Sequence, residues 1–178
     1  MNKNIKTIID SDLEFQELIN ELITNTTVLE MNNFKQHYET TCFEHCYTVS
    51  YYCYLIAKKY KLDFKSCARA GMLHDLFLYD WRKKQPNQKG LHAFTHGKIA
   101  CRNASALFEL NQKEKNMILE HMWPVTLNFP SSLESFILTF VDKYCAMSES
   151  VDILKTVLFL KKPFRLVYGL FSLFNPIY

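Results

Sequence analysis

Glycine and proline are scarce, four and five among 178 residues, so few positions are reserved for tight turns. That scarcity, with 48% hydrophobic residues, points to an α-rich globular protein. No Cys-x-x-Cys pair occurs, and the six cysteines lie inside apolar helical patterns rather than at the spacings of a secreted disulfide framework. They read as reduced core thiols. No stretch approaches the roughly 18 apolar residues of a membrane span, and the N-terminus lacks an apolar run of signal-peptide length. A cytoplasmic protein without an integral membrane segment is expected. The net charge of +3 is modest and the basic residues are spread, so nothing demands nucleic acid; a phosphorylated small molecule suits the charge as well. The length fits one domain over residues 1–178.

What is present is helical periodicity. Residues 10–30 open with Ser11 and Glu14 in capping-box spacing, followed by Phe15, Leu18, Ile19 and Leu22 on one face. From about 40 to 61, Val49, Tyr52, Cys53 and Ile56 share a stripe with His45. Asp63 is the expected cap of a third helix, in which Cys67, Ala70, Gly71 and His74 fall together, so that His74 faces inward. The polar stretch 82–90 reads as an exposed loop, with Asp80 before it as a loop carboxylate. A helix over 92–109 sets His92 and His96 near Ile99, Ala100 and Ala104. Another, over 112–122, is stopped at Trp123-Pro124 with His121 in its last turn. A sixth, over 131–147, carries Asp142 on an apolar stripe with Leu138 and Cys145. The apolar tail, interrupted at Pro163 and Gly169, reads as a packing or homodimer surface.

Five helices thus share one anomaly: His45, His74 with Asp75, His96, His121 and Asp142 bring imidazole or carboxylate onto apolar faces. Each polar group buried without a partner costs about 1–3 kcal/mol, so a shared partner is required. A divalent metal supplies it, and imidazole with carboxylate, without a thiolate cluster, is the donor set of a catalytic zinc, manganese or iron centre.

The order His45, His74-Asp75, Asp142, set in "FEHCYTVSYYCYLIA", "RAGMLHDLF" and "TFVDKYCAM", resembles the HD superfamily of metal-dependent phosphohydrolases over roughly residues 40–148. The resemblance implies an all-α HD-domain helical bundle in which His45, His74, Asp75 and Asp142 bind a first metal. Some members hold a second ion through two further histidines and a bridging HD aspartate. His96 and His121 match those positions, with His92 the alternative to His96. One or two ions of Fe, Mn, Zn, Ni or Co are therefore expected. Leu78 stands where the HDIG subclass carries lysine, which makes cyclic-dinucleotide phosphodiesterases the poorer match. The implied reaction is hydrolysis of a phosphate ester or anhydride of a small metabolite, with a nucleotide expected. Asp75 is the implied catalytic residue, and Arg82, Lys83 and Lys84 are candidates for binding substrate phosphate. The alternatives are a non-catalytic metal- or nucleotide-binding regulator and a dinuclear-iron oxygenase on the same scaffold.

Overall fold

The computed structural model describes the backbone of residues 3–37, 40–83 and 90–160, with side chains for 4–36, 40–83 and 90–149. Lys84 and the tail from residue 161 lie outside the described residues. Eight α-helices are described: α1 (Lys3–Ser11), α2 (Leu13–Ile23), α3 (Thr26–Leu29), α4 (Cys42–Lys59), α5 (Phe64–Leu73), α6 (His92–Leu107), α7 (Gln112–Glu120) and α8 (Leu133–Leu160). A 3-10 turn at Glu30–Asn33 leads into a small antiparallel ribbon of β1 (Lys35–His37) and β2 (Thr40–Thr41). The architecture is an all-α bundle.

The caps explain most of these boundaries. Thr41 and Glu44 form a reciprocal capping box at the start of α4, and Asn111 with Glu114 does the same for α7. Asp63 accepts from Ser66 N at 3.0 Å and starts α5, as its spacing predicts. The expected single helix over 10–30 is broken in two places. Asp12, not Ser11, is the cap: its backbone is extended and its carboxylate accepts from Phe15 N at 3.1 Å, while the Ser11 hydroxyl donates back to Ile8 O. Asn25 then caps α3 by accepting from the Thr27 and Val28 amides, which ends α2 before it. α8 runs to Leu160, beyond the expected end near 147.

α4 and α5 form the centre. Gly71 lets them touch, since a Cβ there would meet Ser50 Cα at 2.7 Å, and the Ser50 hydroxyl donates to Ala68 O at 2.6 Å across the same contact. Phe15, Ile19 and Leu22 of α2 join Cys46, Val49, Cys53 and Tyr54 of α4, Leu73 of α5 and Leu138 of α8 in one buried cluster. All six cysteines are buried and unpaired. Among the described residues no helix is long and apolar enough to cross a membrane.

Candidate metal centre

α5 stops at Leu73, and His74 and Asp75 occupy the turn that follows, aimed into the bundle and essentially inaccessible. His74 Nδ1 lies 2.8 Å from Gly71 O, one turn back on its own helix. That carbonyl can only accept, so Nδ1 carries a proton and Nε2 is the ring atom that faces inward. There it meets no hydrogen-bond partner, only Asp75 Oδ2 and Asp142 Oδ1, each 3.6 Å away.

His45 comes in from α4, with Nε2 3.1 Å from Asp142 Oδ1 and Nδ1 3.1 Å from Glu149 Oε1. His96 of α6 and His121, just past α7, repeat the logic of His74. Their Nδ1 atoms donate to His92 O at 2.9 Å and Ile118 O at 2.7 Å, so both Nε2 atoms carry lone pairs. These two nitrogens stand 2.9 Å apart, an arrangement only a proton or cation can relieve. Asp75 lies between the two halves: Oδ2 is turned towards His74 and accepts from Gln36 Nε2, while Oδ1 is 3.3 Å from His96 Nε2 and 3.7 Å from His121 Nε2. Asp75 Oδ1 is buried without a hydrogen bond.

The electrostatics divide along the same line. Burial pulls the His45 and His74 imidazolium forms down, but the Asp142 and Glu149 carboxylates on His45, and chiefly the Asp75 charge on His74, hold both well above the ordinary value. His121 is driven down to about 3 by burial, with His96 and His74 adding repulsion. Burial alone would raise both carboxylates. The surrounding imidazoles instead hold Asp75 down to about 2 and Asp142 well below the ordinary value.

The structure therefore brings His45, His74, Asp75, His96, His121 and Asp142 to one place, and places His92 behind His96 rather than in its stead. His92 stacks on His96 at 4.5 Å, receives the Tyr79 hydroxyl on Nδ1 at 2.9 Å, and lies against Trp81. Arg82 is exposed at the edge, its guanidinium 5.2 Å above Trp81 and donating to Lys35 O, the neighbour of Gln36. Lys83 is exposed and pairs with Asp80 at 3.3 Å.

Residues 42–147 match the family model of the HD domain. The chain belongs to the HD domain family. HD domains are those of a superfamily of metal-dependent phosphohydrolases and bind divalent metals. No curated protein and no solved structure matches the chain.

The interior of this HD domain fits such an ion on its own geometry. The His74 Nε2 and Asp75 Oδ1 atoms are orphaned, and the His96 and His121 lone pairs oppose each other. Three groupings, His45 with His74 and Asp75, His74 with His121 and Asp142, and Asp75 with His96 and His121, each keep their donor atoms within 4.8 Å. Two further residues, Gln36 and Glu149, touch the site and are absent from the ligand set expected from the sequence. Gln36 sits on a ribbon too short to show a period. Glu149 was readable, since it continues the stripe Leu138, Asp142, Cys145 by one more helical turn.

Proposed function

We propose that this HD domain is a phosphohydrolase with a dinuclear centre: His45, His74, Asp75 and Asp142 hold one ion, and Asp75, His96 and His121 the other. The observation that carries this is the Asp75 carboxylate, with one oxygen towards each half of the cluster. A divalent transition metal (Fe, Mn, Zn, Ni or Co), when bound, lowers the pKa of water and polarises a phosphoryl oxygen. The chain supplies the rest. Backbone carbonyls fix the tautomers of His74, His96 and His121, Gln36 fixes the rotamer of Asp75, and Glu149 orients His45. Asp75 is the catalytic carboxylate, placed to orient the attacking water by accepting its hydrogen bond. Arg82 and Lys83, exposed at the rim, neutralise substrate phosphate together with Lys84, the next residue in sequence.

The substrate class is a small phosphorylated metabolite, and a nucleotide suits the Trp81–Arg82 step beside His92, where a planar base can stack. One domain spanning 1–178 carries the activity, because α1 and α2 contribute Ile9, Phe15 and Ile19 to the core that holds α4 and α5. Six unpaired buried cysteines support a cytoplasmic setting. The test is phosphate release from nucleotides, dinucleoside polyphosphates and simple phosphate esters with added manganese, iron, nickel or cobalt. Metal-dependent release abolished by Asp75→Asn is expected. Inactivity on every substrate despite stoichiometric metal would make the protein a regulator, and oxygen uptake without phosphate release an oxygenase.

A further inference from the structure

α8 has a second face that the site does not use. Towards the core it presents Leu138, Val141, Asp142 and Cys145. Away from it, Leu133, Phe140, Tyr144 and Met147 follow one another at steps of seven, four and three residues, the a/d spacing of a coiled-coil seam, with Ile137 between the first two partly buried against the core. Leu133, Phe140, Tyr144 and Met147 are 57–64% exposed. The sequence keeps the same alternation through Val151, Leu154 and Leu158, to the end of α8. Leu133, Phe140, Tyr144 and Met147 thus form one exposed apolar stripe over two heptads, and the apolar repeat continues in the sequence along a helix about 42 Å long.

The patch widens at the start of α8. Trp123, Phe129, Phe136 and Phe140 form a ladder of rings, with centroids 5.4 Å apart from Trp123 to Phe129, 5.3 Å from Phe129 to Phe136 and 6.2 Å from Phe136 to Phe140. Val125, Leu127 and Phe129 are 48%, 98% and 61% exposed.

We propose that this face is the interface with a second copy of the chain, α8 packing on α8 about a two-fold axis. Two observations select that occupant. A seam with a 3.5-residue repeat over the length of α8 requires a helix of similar length. α8 has 28 residues; the next longest described helix, α4, has 18 and is committed to the core. A second α8 meets the requirement residue for residue. The area also suffices: seven large apolar side chains exposing roughly 100 Å² each give about 700 Å², close to the ~800 Å² that each partner contributes to a stable pair.

The test is the mass of the full chain by sedimentation and light scattering from about 1 to 100 µM, before and after the paired substitution Phe140→Glu with Met147→Glu. The proposal expects about twice the 21.0 kDa chain mass for the native protein. It expects the chain mass for the variant, with helical circular dichroism retained because both side chains are exposed. Leu13→Glu, 79% exposed on α2, should remain dimeric. If the glutamate pair fails to fold, Phe140→Ser with Met147→Ser is read the same way. A native chain that stays monomeric at 100 µM, as it would if residues 161–178 covered the face, overturns the proposal. So does a dimer that survives both pairs.

Discussion

Gln36 and Glu149 touch the donors rather than the space between them, and this determines what their loss should do. Gln36 donates to Asp75 Oδ2, so Gln36→Ala frees the carboxylate to rotate away from the bridging pose. We expect metal affinity to fall roughly 10- to 100-fold and the unfolding free energy to drop by about 1–3 kcal/mol, because the buried carboxylate loses its hydrogen bond, measured by competition with a chromophoric chelator and by denaturant titration. Glu149 accepts from His45 Nδ1, and Glu149→Ala should weaken the metal to a similar degree, with Glu149→Gln intermediate because the amide oxygen can still accept. Unchanged affinity in both variants would remove them from the site. At this scale the sequence was informative where a polar residue interrupted an apolar stripe, as His45, His74 and Asp142 do. Gln36 gave no such signal, because three residues of strand carry no period and its contact with Asp75 spans 39 residues.

At the scale of elements, the site depends on how closely α5 lies on α4. Gly71 makes that approach possible, and its carbonyl also fixes the His74 tautomer. An added Cβ would press on Ser50 backbone, which cannot yield as a side-chain tip would. Gly71→Ala should therefore cost about 1–3 kcal/mol in chemical denaturation and lower metal occupancy as well, because His74 moves with the helix. A variant as stable and as metal-loaded as the native protein would show that the helices are free to separate. Helix positions were largely legible, since α4 to α7 begin close to where their apolar periods and caps predict. The N-terminal third was not, because Asp12 and Asn25 compete locally with the helix backbone and divide one amphipathic pattern among three helices. The ribbon that delivers Gln36 was unreadable for lack of length.

At the scale of the molecule, the buried charges set a pH profile for the metal-free protein. His45 and His74 are held above the ordinary histidine value, so the stability they contribute is fully present below about pH 6.5 and is lost as pH rises through their native values. His92, lowered to about 4 chiefly by burial with His96 beside it, and His121, lowered to about 3, act in the opposite sense. The unfolded chain takes up their protons first, so stability falls as pH drops from about 6.5 towards those values. Asp75 adds a loss between 3.8 and about 2. Metal-free stability should therefore peak near pH 6.5 and decline on both sides, as denaturant midpoints at pH 5, 6.5 and 8 would show. A monotonic rise to pH 8 would contradict the imidazole assignments. Metal binding needs every imidazole donor free of its proton, so it should release protons above pH 6.5, read by calorimetry in buffers of different ionisation enthalpy.

In the proposed centre Asp75 joins two metal positions inside the bundle. Elemental analysis of chain purified without chelator, beside Asp75→Ala, tests it most directly. The account predicts about two equivalents of transition metal per native chain and less than about one in the variant, with helical circular dichroism preserved. Equal metal content in the two proteins, or none in the native chain after exposure to manganese, iron, zinc, nickel and cobalt in turn, would contradict it.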